Sequence, residues 1–127
     1  MTDQPGLCVR MYLDIQRRPG DTTIENDLVY RFRHAFQEEQ WPGGKRLPEV
    51  YYDPRGTTLD RSKAASLHSK CIVIDNKEVF VSSANFTETA QQRNIEIGLV
   101  LSSDTVALRI TSFFDHLVKS SQLRRVL

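Results

Sequence analysis

The sequence predicts an α/β fold: a single domain over residues 1–127, with a mixed β-sheet flanked by helices. Three observations carry this. Leu7, Val9, Met11, Leu13 and Ile15 share one parity, the period-two alternation of a strand. Ile24, Leu28, Phe32 and Phe36 recur at i, i+4, which makes one apolar stripe on a helix. Strand-like and helix-like segments then alternate in part along the remaining chain, as they do when helices cover a sheet.

Taken in order, Leu7 to Ile15 is the first strand, and Arg17-Arg18-Pro19-Gly20-Asp21 is a loop punctuated by Pro and Gly. Thr22-Thr23-Ile24-Glu25 fits a capping box, in which a Thr hydroxyl accepts an early backbone N–H and Glu25 reaches back. The helix behind it runs to about Gln40 and ends at Trp41-Pro42-Gly43-Gly44. Pro48 to Tyr52 reads as a short strand, and the polar stretch Asp53 to Ala65 as a mobile loop. Ser69 to Asp75 is apolar on both faces, which predicts a central buried strand. Asn76-Lys77 reads as a two-residue turn, with Glu78 to Ser82 returning as the second arm of a hairpin. Ser83 to Asn94 is polar and loop-like, with a short helical turn after Thr87, and Ile95 to Leu101 is a further strand. Ser103 or Asp104 caps a last helix, whose Val106, Ile110, Phe113, Phe114, Leu117 and Val118 form the buried stripe.

Composition narrows the function. Seventeen Lys and Arg against sixteen Asp and Glu leave a net charge of +1, so a histone-like basic coat is excluded and any nucleic-acid site is a local groove. No apolar run approaches the roughly 18 residues of a membrane span. Met1 to Gly6 lacks the basic and apolar regions of a signal peptide, so the expectation is a cytoplasmic protein with no membrane contact. Cys8 and Cys71 sit in apolar-patterned segments and read as two buried free thiols in a reducing compartment. No Cys, His and carboxylate cluster has metal-ligand spacing, and no cofactor is expected.

The chemistry concentrates in His68-Ser69-Lys70-Cys71-Ile72-Val73-Ile74-Asp75 and Ser82-Ser83-Ala84-Asn85, with the spacing H-x-K-x4-D-x7-S-x-N. On a strand His68 and Lys70 project from the same face, and the return strand brings Ser83 and Asn85 back to the same end. A nucleophile or base, a fixed cation and two neutral hydrogen-bonding groups are what a phosphoryl group needs.

This pattern resembles the HKD motif of the phospholipase D superfamily, with Ser82 standing where that family usually has Gly. The resemblance implies a phospholipase D-like half in which His68 attacks phosphorus while Lys70 and Asn85 hold the phosphate, supported by Ser83. It implies that Glu96 accepts from the other ring nitrogen of His68, that Asp75 is structural, and that no metal takes part. A two-histidine mechanism needs a second copy of the single motif, which implies a homodimer with the site across a two-fold interface. A closer resemblance runs through residues 17–23, 40–44, 51–55 and 82–87 to the C-terminal part of the phospholipase D-like proteins of bacterial DISARM phage defence. It implies a defence context, DISARM subunits as partners, and a piece of a longer chain.

The loop from Asp53 to Ala65 leads directly toward His68 and reads as a substrate-facing lid or as a plain connector. Within it Arg55, Arg61 and Lys63 are the local candidates for phosphate contacts. Arg17-Arg18, Lys45-Arg46 and Arg124-Arg125 read as solvated charges, Cys71 as a small apolar filler, and His34 and His116 as ordinary boundary residues. The leading expectation is a metal-independent nuclease acting on nucleic acid, with DNA first. The alternatives are a phospholipid hydrolase or phosphatidyltransferase, and a non-catalytic dimerisation or nucleic-acid-binding half.

Overall fold

The structure, a computed structural model, describes residues 5–85 and 94–127. It divides into two compact units, one of residues 1–67 with 120–127, the other of residues 68–119. Both are mixtures of strand and helix, so the α/β class holds, with two three-stranded sheets in place of one.

In the first unit β1 (Arg10–Leu13) lies parallel to β2 (Glu49–Tyr52), in a register that sets Arg10 opposite Glu49 and Leu13 opposite Tyr52. Two parallel neighbours need a crossover, and α1 (Glu25–Ala35) supplies it. The β1 alternation aims Met11 and Leu13 at the core, where Ile15, Val50, Tyr52 and Phe36 are buried and Leu28, Val29 and Phe32 of α1 pack against them. A π turn, Phe36–Gln40, finishes the helix. There the Trp41 N–H donates to the Phe36 carbonyl at 2.8 Å, and the Trp41 ring stacks on Phe36 with centroids 5.6 Å apart.

Several local expectations change in this unit. The capping box does not form: Ile24 stands at the helix N-cap with no side-chain cap. Glu25 instead accepts from Tyr52 Oη at 2.7 Å and from Arg124 Nη1 at 3.1 Å. Arg124 belongs to an element the sequence reading missed, the two-residue strand β6 (Arg124–Arg125), antiparallel to β2. Two charged residues carry no strand signal; their buried flanks, Leu123 and Val126, do. Arg17 is not a solvated charge but a buried one, its guanidinium donating to the carbonyls of Thr57, Asp21 and Thr23. Cys8, expected inside, is exposed.

The segment after β2 is tied down. Two 3-10 turns, Pro54–Thr57 and Arg61–Lys63, are each capped by the carboxylate before them, Asp53 and Asp60. Gly56 and Thr57 are buried, and the Arg17 N–H donates to the Gly56 carbonyl at 3.0 Å. A Cβ on Gly56 would collide with the Ile15 carbonyl, so the close approach requires glycine. Polarity suggested mobility, but here the polar groups satisfy one another.

The second unit is an antiparallel meander, β3 (Cys71–Ile74), β4 (Glu78–Ser82) and β5 (Gly98–Ser102), with β4 in the middle. Thus β3, expected to be central, is an edge of this sheet, and Ile72 and Ile74 are 45% and 56% exposed. Its turn falls one residue earlier than expected, at Asp75-Asn76, both at positive φ (52° and 54°), and closes with the Lys77 N–H on the Ile74 carbonyl at 2.9 Å. Two positive φ angles closed by that bond make a type I′ turn, which favours Asn, Asp and Gly, here within a three-residue loop because Ile74 pairs with Glu78. The helix α2 (Asp104–Lys119) packs against β3 and β4, and Val79 and Ala107 are fully buried. Ser103 caps α2 as expected, its Oγ accepting from the Val106 N–H at 3.3 Å. The helical turn expected after Thr87 lies outside the described residues.

Candidate active site

The β3–β4–β5 register decides where the motif goes. Cys71 pairs with Val81, and Val81 with Leu99. Beyond that row the ladder continues: the Ser82 N–H donates to the Lys70 carbonyl, and the Ser83 N–H to the Ile97 carbonyl, both at 3.0 Å. His68, Lys70, Ser83, Asn85 and Glu96 therefore gather at one end of the meander. Asp75 sits in the turn at the other end, some seven residues or roughly 20 Å away along the strand.

Two contacts join members of the set. Lys70 Nζ donates to the His68 carbonyl at 2.9 Å, which puts the ammonium beside the histidine backbone. Across β4 and β5, Ser83 Oγ donates to Glu96 Oε2 at 2.5 Å while accepting from the Ile97 N–H at 3.1 Å. The second Glu96 oxygen accepts from Asn94 Nδ2 at 3.1 Å. Both oxygens of the carboxylate are thus engaged, and no hydrogen bond joins Glu96 to the His68 ring among the described residues. Ser83 and Asn94 orient Glu96; Asn94 is a neighbour the sequence reading did not single out, two residues from Glu96. His68 and Asn85 are exposed and Lys70 is half-buried, so the end of the sheet is open to a ligand. Gly98 allows the strands to close here: a Cβ on it would lie 2.8 Å from Phe80 Cε2.

Two of the three loop cations, Arg55 and Lys63, are already paired. Arg55 forks onto the buried Asp53, with Nη2 to Oδ2 at 2.7 Å and Nε to Oδ1 at 3.0 Å. Burial pushes the Asp53 carboxyl up, but the Arg55 hydrogen bonds outweigh it and hold it below the usual carboxylate range. Lys63 lies 3.4 Å from Asp60. A phosphate contact by Arg55 or Lys63 therefore shares the cation with a carboxylate. The Cys71 thiol is pushed up by burial, away from the thiolate a nucleophile needs. Among the described residues, no three His, Cys, Asp or Glu side chains gather to hold a metal ion.

A histidine and a lysine two residues apart, a Ser and an Asn just past β4, and a carboxylate just before β5 thus share one end of the sheet in an α/β unit. The family model described as cardiolipin synthase, PLD-like domain, matches residues 27–118, and the chain belongs to that family within the phospholipase D superfamily of phosphodiesterases. Among curated proteins it is similar to cardiolipin synthase C of Escherichia coli, with 42% identity over 53 residues, 42% of this chain and 11% of that protein. It is also similar to the DISARM protein DrmC of Bacillus paralicheniformis, with 35% identity over 63 residues, 50% of this chain and 26% of that protein. The matches thus cover only a minor part of either relative's length. No solved structure matches the chain.

Proposed function

We propose that this chain is a metal-independent phosphodiesterase that cleaves nucleic acid, DNA first, in bacterial antiphage defence. The observation that carries it is the convergence of His68, Lys70, Ser83, Asn85 and Glu96 at one open end of the β3–β4–β5 sheet. In this reading a ring nitrogen of His68 attacks phosphorus and the P–O bond to the leaving group breaks. The leaving oxygen takes its proton from the His68 of a second copy. That second imidazole then removes a proton from water, whose oxygen displaces the phosphate from the first. Lys70 and Asn85 stabilise charge on the non-bridging oxygens. Similarity to DrmC supports the defence context, with DISARM subunits as partners. The single histidine motif calls for a second one, in a homodimer or a longer two-half protein, and this reading takes the chain to be cytoplasmic.

A second reading has its own observations. Similarity to cardiolipin synthase C favours phosphatidyl transfer. Ile95 and Ile97, either side of Glu96, are largely exposed, and such side chains suit acyl chains as well as a protein partner. No helix among the described residues is long and apolar enough to cross a membrane. The deciding assay compares a labelled oligonucleotide with anionic phospholipid vesicles at equal enzyme and low salt, in EDTA. Cleavage of the oligonucleotide, lost in His68→Ala, is the expected result. Lipid turnover with no nucleic-acid binding would overturn the nuclease reading in favour of the second.

A further inference from the structure

We propose that Ser82 is a positioning residue for Asn85: its hydroxyl makes the turn by which the chain leaves β4 and delivers the asparagine to the open end of the sheet. This rests on the phosphodiesterase reading above. Every residue involved lies within the unit of residues 68–119. Ser82 is the last residue of β4, and its N–H donates to the Lys70 carbonyl at 3.0 Å, so the turn starts from the row that carries Lys70. Ser82 Oγ then accepts from the Ala84 N–H at 3.0 Å. Serine makes such turns by offering its own oxygen to a peptide N–H two residues on, in competition with a strand partner. The same oxygen lies 3.4 Å from the Ile97 carbonyl, which can take its proton. One hydroxyl thus ties the departing chain to the segment that enters β5.

The residue after it shows how the ladder is brought to an end. Opposite residues of an antiparallel hydrogen-bonded pair exchange two backbone bonds. Ser83 and Ile97 make one of them, the Ser83 N–H on the Ile97 carbonyl, but the Ile97 N–H goes to Ser83 Oγ in place of the Ser83 carbonyl. The backbone therefore leaves the ladder at Ser83. A hydroxyl has a single proton, and that of Ser83 goes to Glu96 Oε2 at 2.5 Å rather than to the Ile97 carbonyl at 3.4 Å. Ser83 then has no proton for a phosphate oxygen, and Asn85, which is exposed, is the donor that this segment presents. It directly follows the residue whose N–H Ser82 holds. Lys70 and Asn85 are the two groups that the phosphodiesterase reading sets on the non-bridging oxygens, and Ser82 is bonded to the first of these residues and to the neighbour of the second. Stabilising developing charge depends on such preorganised placement. Ser82 touches no reacting atom, so its contribution is orientation.

The test uses Ser82→Ala, which removes the hydroxyl, and Ser82→Thr, which keeps it. Amide exchange at Ala84 and the side-chain amide resonances of Asn85 are followed by NMR, alongside kcat and KM on an oligonucleotide. In Ser82→Ala we expect Ala84 to exchange about fivefold faster, as for the loss of one net hydrogen bond, and the Asn85 signals to shift. We expect kcat/KM to fall roughly 10- to 10²-fold, the effect of a displaced catalytic group, while the melting temperature moves little. Ser82→Thr should recover most of that loss. Added to Asn85→Ala, Ser82→Ala should cost little more, because its effect runs through Asn85. Additive losses in that double variant would overturn the proposal, as would unchanged Ala84 exchange with unchanged Asn85 signals in Ser82→Ala. A wild-type chain without phosphodiesterase activity refutes the function reading alone, because exchange and the Asn85 resonances still decide the turn.

Discussion

Asp75 is the motif member farthest from the other polar residues, and its backbone explains its presence. It occupies the first central position of a type I′ turn at φ 52°, where most L-residues pay a steric penalty. Asp75→Ala should therefore lower stability by about 1 kcal/mol, whereas Asp75→Asn and Asp75→Gly should lie close to wild type, as read by chemical denaturation. A charge requirement would show the opposite, with Asn as damaging as Ala. At the other end of the sheet the order of effects reverses. His68→Ala should abolish cleavage with an unchanged melting curve, because an exposed side chain contributes little packing. Lys70→Ala should lose about 10²-fold in kcat/KM, the typical effect of removing one preorganised charge-stabilising donor. A fold-intact His68→Ala with wild-type turnover would remove the nucleophile assignment.

Among the elements, the join of β2, α1 and β6 depends on one carboxylate, Glu25, with Tyr52 and Arg124 both donating to it. Burial first, then the Glu25 hydrogen bond and charge, push the Tyr52 phenol up to about 12. The raised value means that the fold favours the neutral phenol. Its stabilising contribution is therefore present below pH 10 and is lost as pH climbs from 10 toward 12. Absorbance titration should show a late tyrosine ionisation, and Tyr52→Phe should remove that late step. Periodicity made β1, α1, β2 and α2 legible, since each buries one face. It failed where tertiary partners decide. Glu25 looked like a capping residue but is used by Tyr52, and β6 consists of two arginines with no apolar pattern of their own. The double-sided apolar run of β3 read as central, yet in this sheet it is an edge.

At the scale of the molecule the site was legible as a pattern and less so as a geometry. Spacing placed His68, Lys70, Ser83 and Asn85 at one end because hairpin register is periodic. It gave no hint that Glu96 would be held by Ser83 and Asn94, since a side-chain hydrogen bond leaves no periodicity. If two copies share one phosphate, the solution mass should be that of a dimer, and the rate should be bell-shaped in pH, one imidazole neutral and the other charged. A strict monomer with cleavage activity would rule out the shared site. Binding to nucleic acid should weaken only moderately with salt, because Asp53 and Asp60 already offset Arg55 and Lys63. Arg17 carries a different consequence, for how the native chain meets a protease. Arg17-Arg18 is one of three dibasic pairs in the sequence, with Lys45-Arg46 and Arg124-Arg125, and trypsin must draw an arginine side chain fully into its specificity pocket. The Arg17 side chain is 4% exposed and bound to three carbonyls, and the bond after Arg18 is blocked by Pro19. Limited digestion of the folded protein should therefore spare this pair while other arginines are cut. Early scission there would mark a molecule that has already opened.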